Sequence, residues 1–205
     1  MHIQALEFTQ FAKAVCPDSF HQKVVLDVGA GDINGNNRVL FTECNYTGND
    51  VIPADNVTIV SKTKDLPFAD ASFDTIISTE CFEHDPEYED SFRKIYTLLK
   101  PGGLFVFTCA STGRPEHGTR RTTPQDSYGT IGNLVDMQDY YKNLTHHDVN
   151  AVLALNECFE KWDTYYESEH KDLFFIGIKK GSEQQCLRPL PLYAKEHVVH
   201  TSEDI

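Results

Sequence analysis

The run Val24-Val25-Leu26-Asp27-Val28 leads straight into Gly29-Ala30-Gly31. A short apolar, β-branched run reads as a strand buried on both faces, and glycines at its end let the backbone turn sharply where a Cβ would collide with a ligand. Asp27 lies inside that strand, a charge tolerated there only if backbone donors or a ligand satisfy it. Tyr46-Thr47-Gly48-Asn49-Asp50 ends a second strand on a carboxylate, placed to accept from two ribose hydroxyls. Together the two strand tips suggest a nucleoside site. Glu80-x-x-Glu83-His84 begins where a later strand ends. Two carboxylates and an imidazole there suit a divalent cation that acidifies and orients a substrate hydroxyl; equally, they suit substrate orientation or a helix cap. Arg114, His117, Arg120 and Arg121 share a polar segment with several hydroxyls. It reads either as a lid meeting an anionic or polyhydroxyl substrate, with His117 as base or further metal ligand, or as a solvated loop.

These groups need a scaffold, and the hydrophobic pattern supplies one. Residues 1–15 have loosely helical spacing and stop before Pro17; Asn37 to Cys44 allows a brief helix. Strands are expected at 24–28, 46–50, 57–60, 73–79 and 104–108. A helix carrying Tyr88, Phe92, Ile95, Tyr96 and Leu99 on one face precedes the last of these and is stopped by Pro101-Gly102-Gly103. Such alternation predicts an open, mostly parallel sheet with helices on both faces, whose ligands bind beyond the carboxyl ends of the strands. Residues 110–146 break the pattern and read as a lid-like insertion. A helix over 149–162 and a closing hairpin, 162–167 with 173–178, follow. The expected organisation is one domain over 1–180 and an irregular tail over 181–205, open to use as a dimer arm.

Composition narrows the class. The chain has 205 residues, enough for one core, and carries 31 acidic against 18 Lys and Arg residues, a formal charge of −13. That field repels phosphate backbones and disfavours nucleic acid as a partner. Six cysteines without a C-x-x-C pair suggest free thiols, and neither a signal peptide nor a membrane span is visible; a cytoplasmic location is the expectation.

In series, these motifs resemble the class I S-adenosylmethionine-dependent methyltransferases, in particular the compact methyltransferase type 11-like group acting on small molecules. Residues 25–31 look like their first motif, 46–50 their second-strand motif, and Asp65-Leu66-Pro67-Phe68 the segment bordering the adenine. Ser78 to His84 and Leu98 to Gly103 complete the match over roughly residues 20 to 110. The resemblance implies a doubly wound α/β fold with a mostly parallel seven-stranded sheet and an antiparallel last strand. It implies a cofactor, S-adenosyl-L-methionine, held by Asp27, Gly29, Ala30, Gly31, Asp50, Val51, Asp65 and Leu66, with Thr79 and Glu80 near its methionine end. The expected activity moves a methyl group to a small polar acceptor at oxygen, with Glu83, His84 and His117 as catalytic candidates. The Glu-x-x-Glu-His spacing is also similar to that of metal-assisted methyltransferases. Two departures stand out: Asp32-Ile33-Asn34-Gly35 replaces the usual third glycine, and Lys62 stands where an acidic residue is common. A nicotinamide-dependent reductase fits less well, lacking that glycine and a Tyr-x-x-x-Lys; a scaffold that binds the cofactor without turnover is the alternative.

Overall fold

A computed structural model describes residues 2–181 and 190–201. Eight strands form one sheet in the order β3-β2-β1-β4-β5-β7-β6-β8: β1 (Val24–Val28), β2 (Asn45–Asp50), β3 (Ile59–Val60), β4 (Phe73–Thr79), β5 (Leu99–Ala110), β6 (Phe159–Glu167), β7 (Asp172–Lys179) and β8 (Val198–His200). The first five pair in parallel, and β7, β6 and β8 each pair antiparallel with their neighbour. This is the doubly wound α/β arrangement expected, with one more strand.

Successive residues of the central strands point to opposite faces, and both faces are covered. Ile76, Phe105, Phe107 and Phe175 pack against Phe92, Ile95 and Leu98 of α2 (Tyr88–Leu98) and Val149 and Leu153 of α4 (His146–Leu153). Their neighbours Ile77, Leu104, Val106, Phe174 and Ile176 pack on the other side against Phe8 and Ala12 of α1 (Ile3–Val15). The chain leaves β1 towards β2 and β3, then crosses back to β4 on the other flank of β1. The crevice beyond the carboxyl ends of β1 and β4 is therefore the topological switch point of the sheet.

Several local expectations are corrected. The helix expected over 149–162 is two pieces, α4 and the single turn α5 (Leu155–Cys158), separated by Ala154 in the left-handed region at φ 43°. Trp162 belongs to β6. The insertion contributes only α3 (Tyr128–Ile131) and a 3-10 turn at Pro124–Asp126. Of the expected irregular tail, residues 190–201 are described: 190–197 hold no helix or strand, and Val198–His200 is a short strand on the sheet. Val198–His200 pairs with β6, and Tyr193 inserts between Phe8, Phe11 and Tyr165 at ring distances of 5.3, 4.9 and 5.9 Å. An aromatic ring buried this way adds apolar area that prolines and charges flanking it in sequence conceal. The rest of the tail, 182–189 and 202–205, lies outside the described residues, as does Cys186. Cys44, Cys81, Cys109 and Cys158 are free thiols, and no helix among the described residues is long and apolar enough to cross a membrane.

Because Tyr193 is part of the core, Tyr193→Ala should destabilise the protein by about 3 kcal/mol in urea denaturation. A change within about 0.5 kcal/mol would place the ring outside the cooperative unit.

Candidate active site

One cavity of about 420 Å³ opens at the switch point. Its floor is the turn after β1. Gly29 has φ 71°, and a Cβ there would lie 2.6 Å from the Cys81 side chain, so only glycine lets β4's end approach this closely. Gly31 donates its N–H to Asp50 Oδ2 at 3.0 Å, and Val51 N–H reaches Oδ1 at 2.7 Å. These bonds aim the Asp50 carboxylate across the turn, while burial pushes its pKa up. Each oxygen retains lone-pair capacity for a ligand hydroxyl. In place of a third glycine, Asp32 closes its own turn, accepting from Gly35 N–H at 2.7 Å and Asn36 Nδ2 at 2.6 Å.

Asp27, 1% exposed, answers the question its position raised. Asn37 Nδ2 bridges it to Thr79 (3.3 Å to Oδ1, 3.2 Å to the Thr79 hydroxyl), and the Tyr46 hydroxyl donates to Oδ2. Even so, burial pushes its pKa up to about 7. At the far end of the cavity, Glu80 stands at φ 54° just beyond β4, held by its N–H to Thr108 O (2.9 Å) and by the Thr108 hydroxyl, which donates to Oε1 at 2.8 Å.

The three catalytic candidates converge. One ligand atom from each of Glu83, His84 and His117 lies within 4.8 Å of the others. Glu83 is 0% exposed, and neither of its oxygens nor His84 Nδ1 has a hydrogen-bond partner. Burial pushes the Glu83 pKa well up and pulls that of His84 down to about 3, so the imidazole rests neutral. His117 Nδ1 lies 3.1 Å from Pro115 O. A carbonyl only accepts, so this nitrogen carries the proton and Nε2, 3.9 Å from Glu83 Oε1, presents a lone pair. Gly118, at φ 70°, permits the contact, since a Cβ would sit 2.5 Å from His84 Cε1.

The insertion roofs the cavity through Arg114, Glu116, His117, Tyr128 and Met137. It is tied down by Ser111 Oγ to Leu144 O at 2.6 Å, Lys142 N–H to Glu83 O at 2.9 Å, and an ion pair between Lys62 and Asp136. Lys62, also 2.6 Å from Glu87, thus ties the insertion to the end of the sheet. The paired arginines do not face a ligand. Arg120 bonds to Asp139 and Arg121 to Glu116, and neither arginine lines the cavity. Tyr140 and Tyr141 are not on the cavity wall; Tyr141 packs edge-on against His117 at 4.9 Å.

Of the other sequence candidates, Ala30, Val51 and Thr79 line the cavity with Asp27, Gly29, Gly31, Asp50 and Glu80. Asp65 and Leu66 do not. Asp65 is exposed and paired with Lys64 at 3.1 Å, and Leu66 is buried in the core. Lys62 and Thr63 take that stretch of wall instead. Sequence reasoning missed His2, Asn37 and Asn49, which also line it. No motif announces them: each reaches the crevice through tertiary contacts.

Residues 26–107 match the protein family described as a methyltransferase domain. Phosphoethanolamine N-methyltransferase 2 of Caenorhabditis elegans is 39% identical over 56 residues, 27% of this chain and 13% of that protein. Malonyl-[acyl-carrier protein] O-methyltransferase of Methylovorus sp. (strain MP688) is 26% identical over 118 residues, 58% of this chain and 40% of that protein. The matched stretches thus span well under two thirds of these relatives. Among solved structures, Burkholderia thailandensis 1,6-didemethyltoxoflavin-N1-methyltransferase, with its substrate and S-adenosylhomocysteine bound, superposes with a TM-score of 0.60 at 17% identity, over 86% of this chain and 80% of that one. Haemonchus contortus phosphoethanolamine N-methyltransferase 2 in complex with S-adenosyl-L-methionine gives 0.59 at 17%, over 86% and 53%. At such identities the likeness is one of fold.

A buried carboxyl whose pKa rises to about 7 on folding stabilises the protein fully only below its unfolded value near 4, and that contribution is lost as pH rises through 7. Asp27→Asn should therefore flatten the decline in stability between pH 5 and pH 8, by roughly 3 kcal/mol relative to wild type in paired urea titrations. Parallel profiles for the two proteins would show that Asp27 does not titrate in this window.

Proposed function

With residues 26–107 belonging to the methyltransferase-domain family, and the sheet around them having the class I S-adenosylmethionine-dependent methyltransferase fold, we propose that this protein transfers a methyl group from S-adenosyl-L-methionine to the oxygen of a small polar acceptor. The observation that carries the reading is a single cavity reaching from Asp50, across the glycine turn, to His84 and His117. A nucleoside end and an acceptor end share one space. When bound, the cofactor supplies an electrophilic sulfonium methyl. The chain's own residues would hold and orient it: Asp50 would accept from the ribose hydroxyls, the turn at Gly29 to Gly31 would leave room for the nucleoside, and Thr79 and Glu80 would hold the methionine end. Val51 borders the nucleoside, and the lid excludes water, so that catalysis is chiefly alignment for in-line displacement.

The acceptor end bears on the choice of oxygen. A neutral His84 with a pKa of about 3 is a poor base towards a hydroxyl. The Glu83, His84 and His117 cluster fits a divalent cation: both carboxylate oxygens and one imidazole nitrogen are buried without partners, a cost of several kcal/mol that coordination would offset. His117, its proton fixed on Nδ1 by Pro115, offers Nε2 to the same point. A bound cation would make a coordinated hydroxyl acidic enough to react. The −13 charge favours a small-molecule acceptor over nucleic acid. The alternative, a cofactor-binding scaffold without turnover, would bind the cofactor tightly and transfer nothing across an acceptor panel.

Calorimetry should show S-adenosylhomocysteine binding to the full chain and Asp50→Ala weakening it at least about tenfold. No heat for the wild type, or an unchanged affinity in the variant, would refute the nucleoside assignment. For the cation, manganese titrated into the protein should bind at one site, as read by electron paramagnetic resonance, with His117→Ala weakening it about tenfold or more. Free manganese throughout the titration would remove the metal from the account.

A further inference from the structure

The two glycines of the turn after β1 are required for different reasons. Gly29 has a positive φ, whereas Gly31 lies outside the left-handed region, so its backbone conformation is open to any residue. What excludes a side chain at Gly31 is space. A Cβ there would lie 2.0 Å from Tyr128 Cε2, 2.5 Å from Tyr128 Cδ2 and 2.9 Å from Asp50 Oδ2. The aromatic ring at the start of α3 therefore rests directly on the glycine turn, beside the carboxylate. Asp50 is correspondingly only 8% exposed, although it lines the cavity. Burial, and then the charges of Asp50, Asp32 and Asp55, push the Tyr128 pKa up, so the phenol beside these carboxylates stays neutral.

The element that carries this ring is lightly built. α3 is a single turn of four residues, and its N-cap Ser127 makes no side-chain capping bond. A helix this short has no stability of its own and keeps its place through tertiary contacts. On one side the Thr130 hydroxyl donates to Gly118 O, next to His117. On the other, Gly132, which ends the turn, packs against Ile52, two residues beyond Asp50. Tyr128 itself is half-buried and faces the cavity, outside both apolar cores of the sheet. Moving the ring therefore disturbs the lid and leaves the sheet packing intact.

We propose that Tyr128 gates the nucleoside site: its ring covers Asp50 and the glycine turn, and must move aside before a ribose can reach the carboxylate. The proposal rests on the methyltransferase reading and adds to it an order of events, with displacement of the ring preceding capture of the sugar. A ribose bonded to Asp50 and the phenol ring claim the same ground, because the space above Gly31 beside Oδ2 already holds Cε2 and Cδ2. Two groups cannot share one van der Waals volume in a packed site. Binding then draws only on the fraction of molecules in which the ring is displaced, and both the association rate and the apparent affinity fall by that fraction. The block is steric: it belongs to the ring, and the phenolic hydroxyl is dispensable for it.

Surface plasmon resonance with the immobilised full chain and S-adenosylhomocysteine reads association and dissociation separately. Tyr128→Ala should associate about tenfold faster or more, because no ring has to leave first. Tyr128→Phe keeps the ring and should associate within about twofold of the wild-type rate. Both changes fall on a half-buried lid residue and leave the core untouched. A ring that instead served as a platform under the bound nucleoside would, on removal, speed dissociation and leave association as it was. Association of Tyr128→Ala no faster than that of the wild type, or Tyr128→Phe as fast as Tyr128→Ala, overturns the gate while leaving the methyltransferase reading intact. A wild-type protein that does not bind S-adenosylhomocysteine overturns both.

Discussion

Burying carboxylates at the carboxyl edge of a sheet is the constraint around which this protein is arranged. Asp27, Asp50, Glu80, Glu83 and Asp172 all lie at or near the ends of β1, β2, β4 and β7, four of them buried and Glu80 half-buried. A buried ionised carboxylate costs several kcal/mol unless donors meet it. Each therefore requires a dedicated answer. Asp50 is met by two backbone N–H groups, Asp27 by Asn37 and Tyr46, and Glu80 and Asp172 by His2, Thr108 and Arg114. Glu83 alone among them has no hydrogen-bond partner for either oxygen among the described residues. The graded satisfaction of these groups separates the scaffold from the places where a ligand is expected.

This constraint also explains the shape of the lid. The insertion is longer than a connection between strands needs, and its contacts go to the groups around the cavity. Arg114 meets Asp172, His117 faces Glu83, and Asp136 takes Lys62. β1 and β2 are joined by a 3-10 turn, Asn37–Leu40, in place of a full helix. Closing the site therefore falls to residues 114–137 from above and to α1 from the side.

The parallel half of the sheet was legible because each central strand is buried on both faces and spells out a continuous apolar run, as in Ile76-Ile77 and Leu104 to Phe107. The glycine turn and Asp50 were legible for a related reason: backbone geometry at a strand tip restricts residue type. Elements resting on tertiary contacts were not. β8 is three residues long and is stabilised by its pairing with β6 and by Tyr193 nearby, neither of which leaves a periodic signal. A run such as Arg120-Arg121 reads as ligand-facing until Asp139 and Glu116 are seen to neutralise it. Asp65 and Leu66 lie off the cavity wall because a short 3-10 turn, Thr63–Asp65, turns Lys62 and Thr63 towards the cavity and leaves Leu66 in the core. His2 carries no motif at all; only folding brings it to the crevice.

The central claim is that a thioether nucleoside lies across the tips of β1 and β2, its sugar on Asp50 and its sulfur facing His84 and His117. A crystal structure of the full chain with S-adenosylhomocysteine tests this most directly. The account predicts both ribose hydroxyls within hydrogen-bond distance of the Asp50 carboxylate and the sulfur between the glycine turn and the imidazole pair. Density for the nucleoside elsewhere, with Asp50 still bonded only to the N–H groups of Gly31 and Val51, would contradict it.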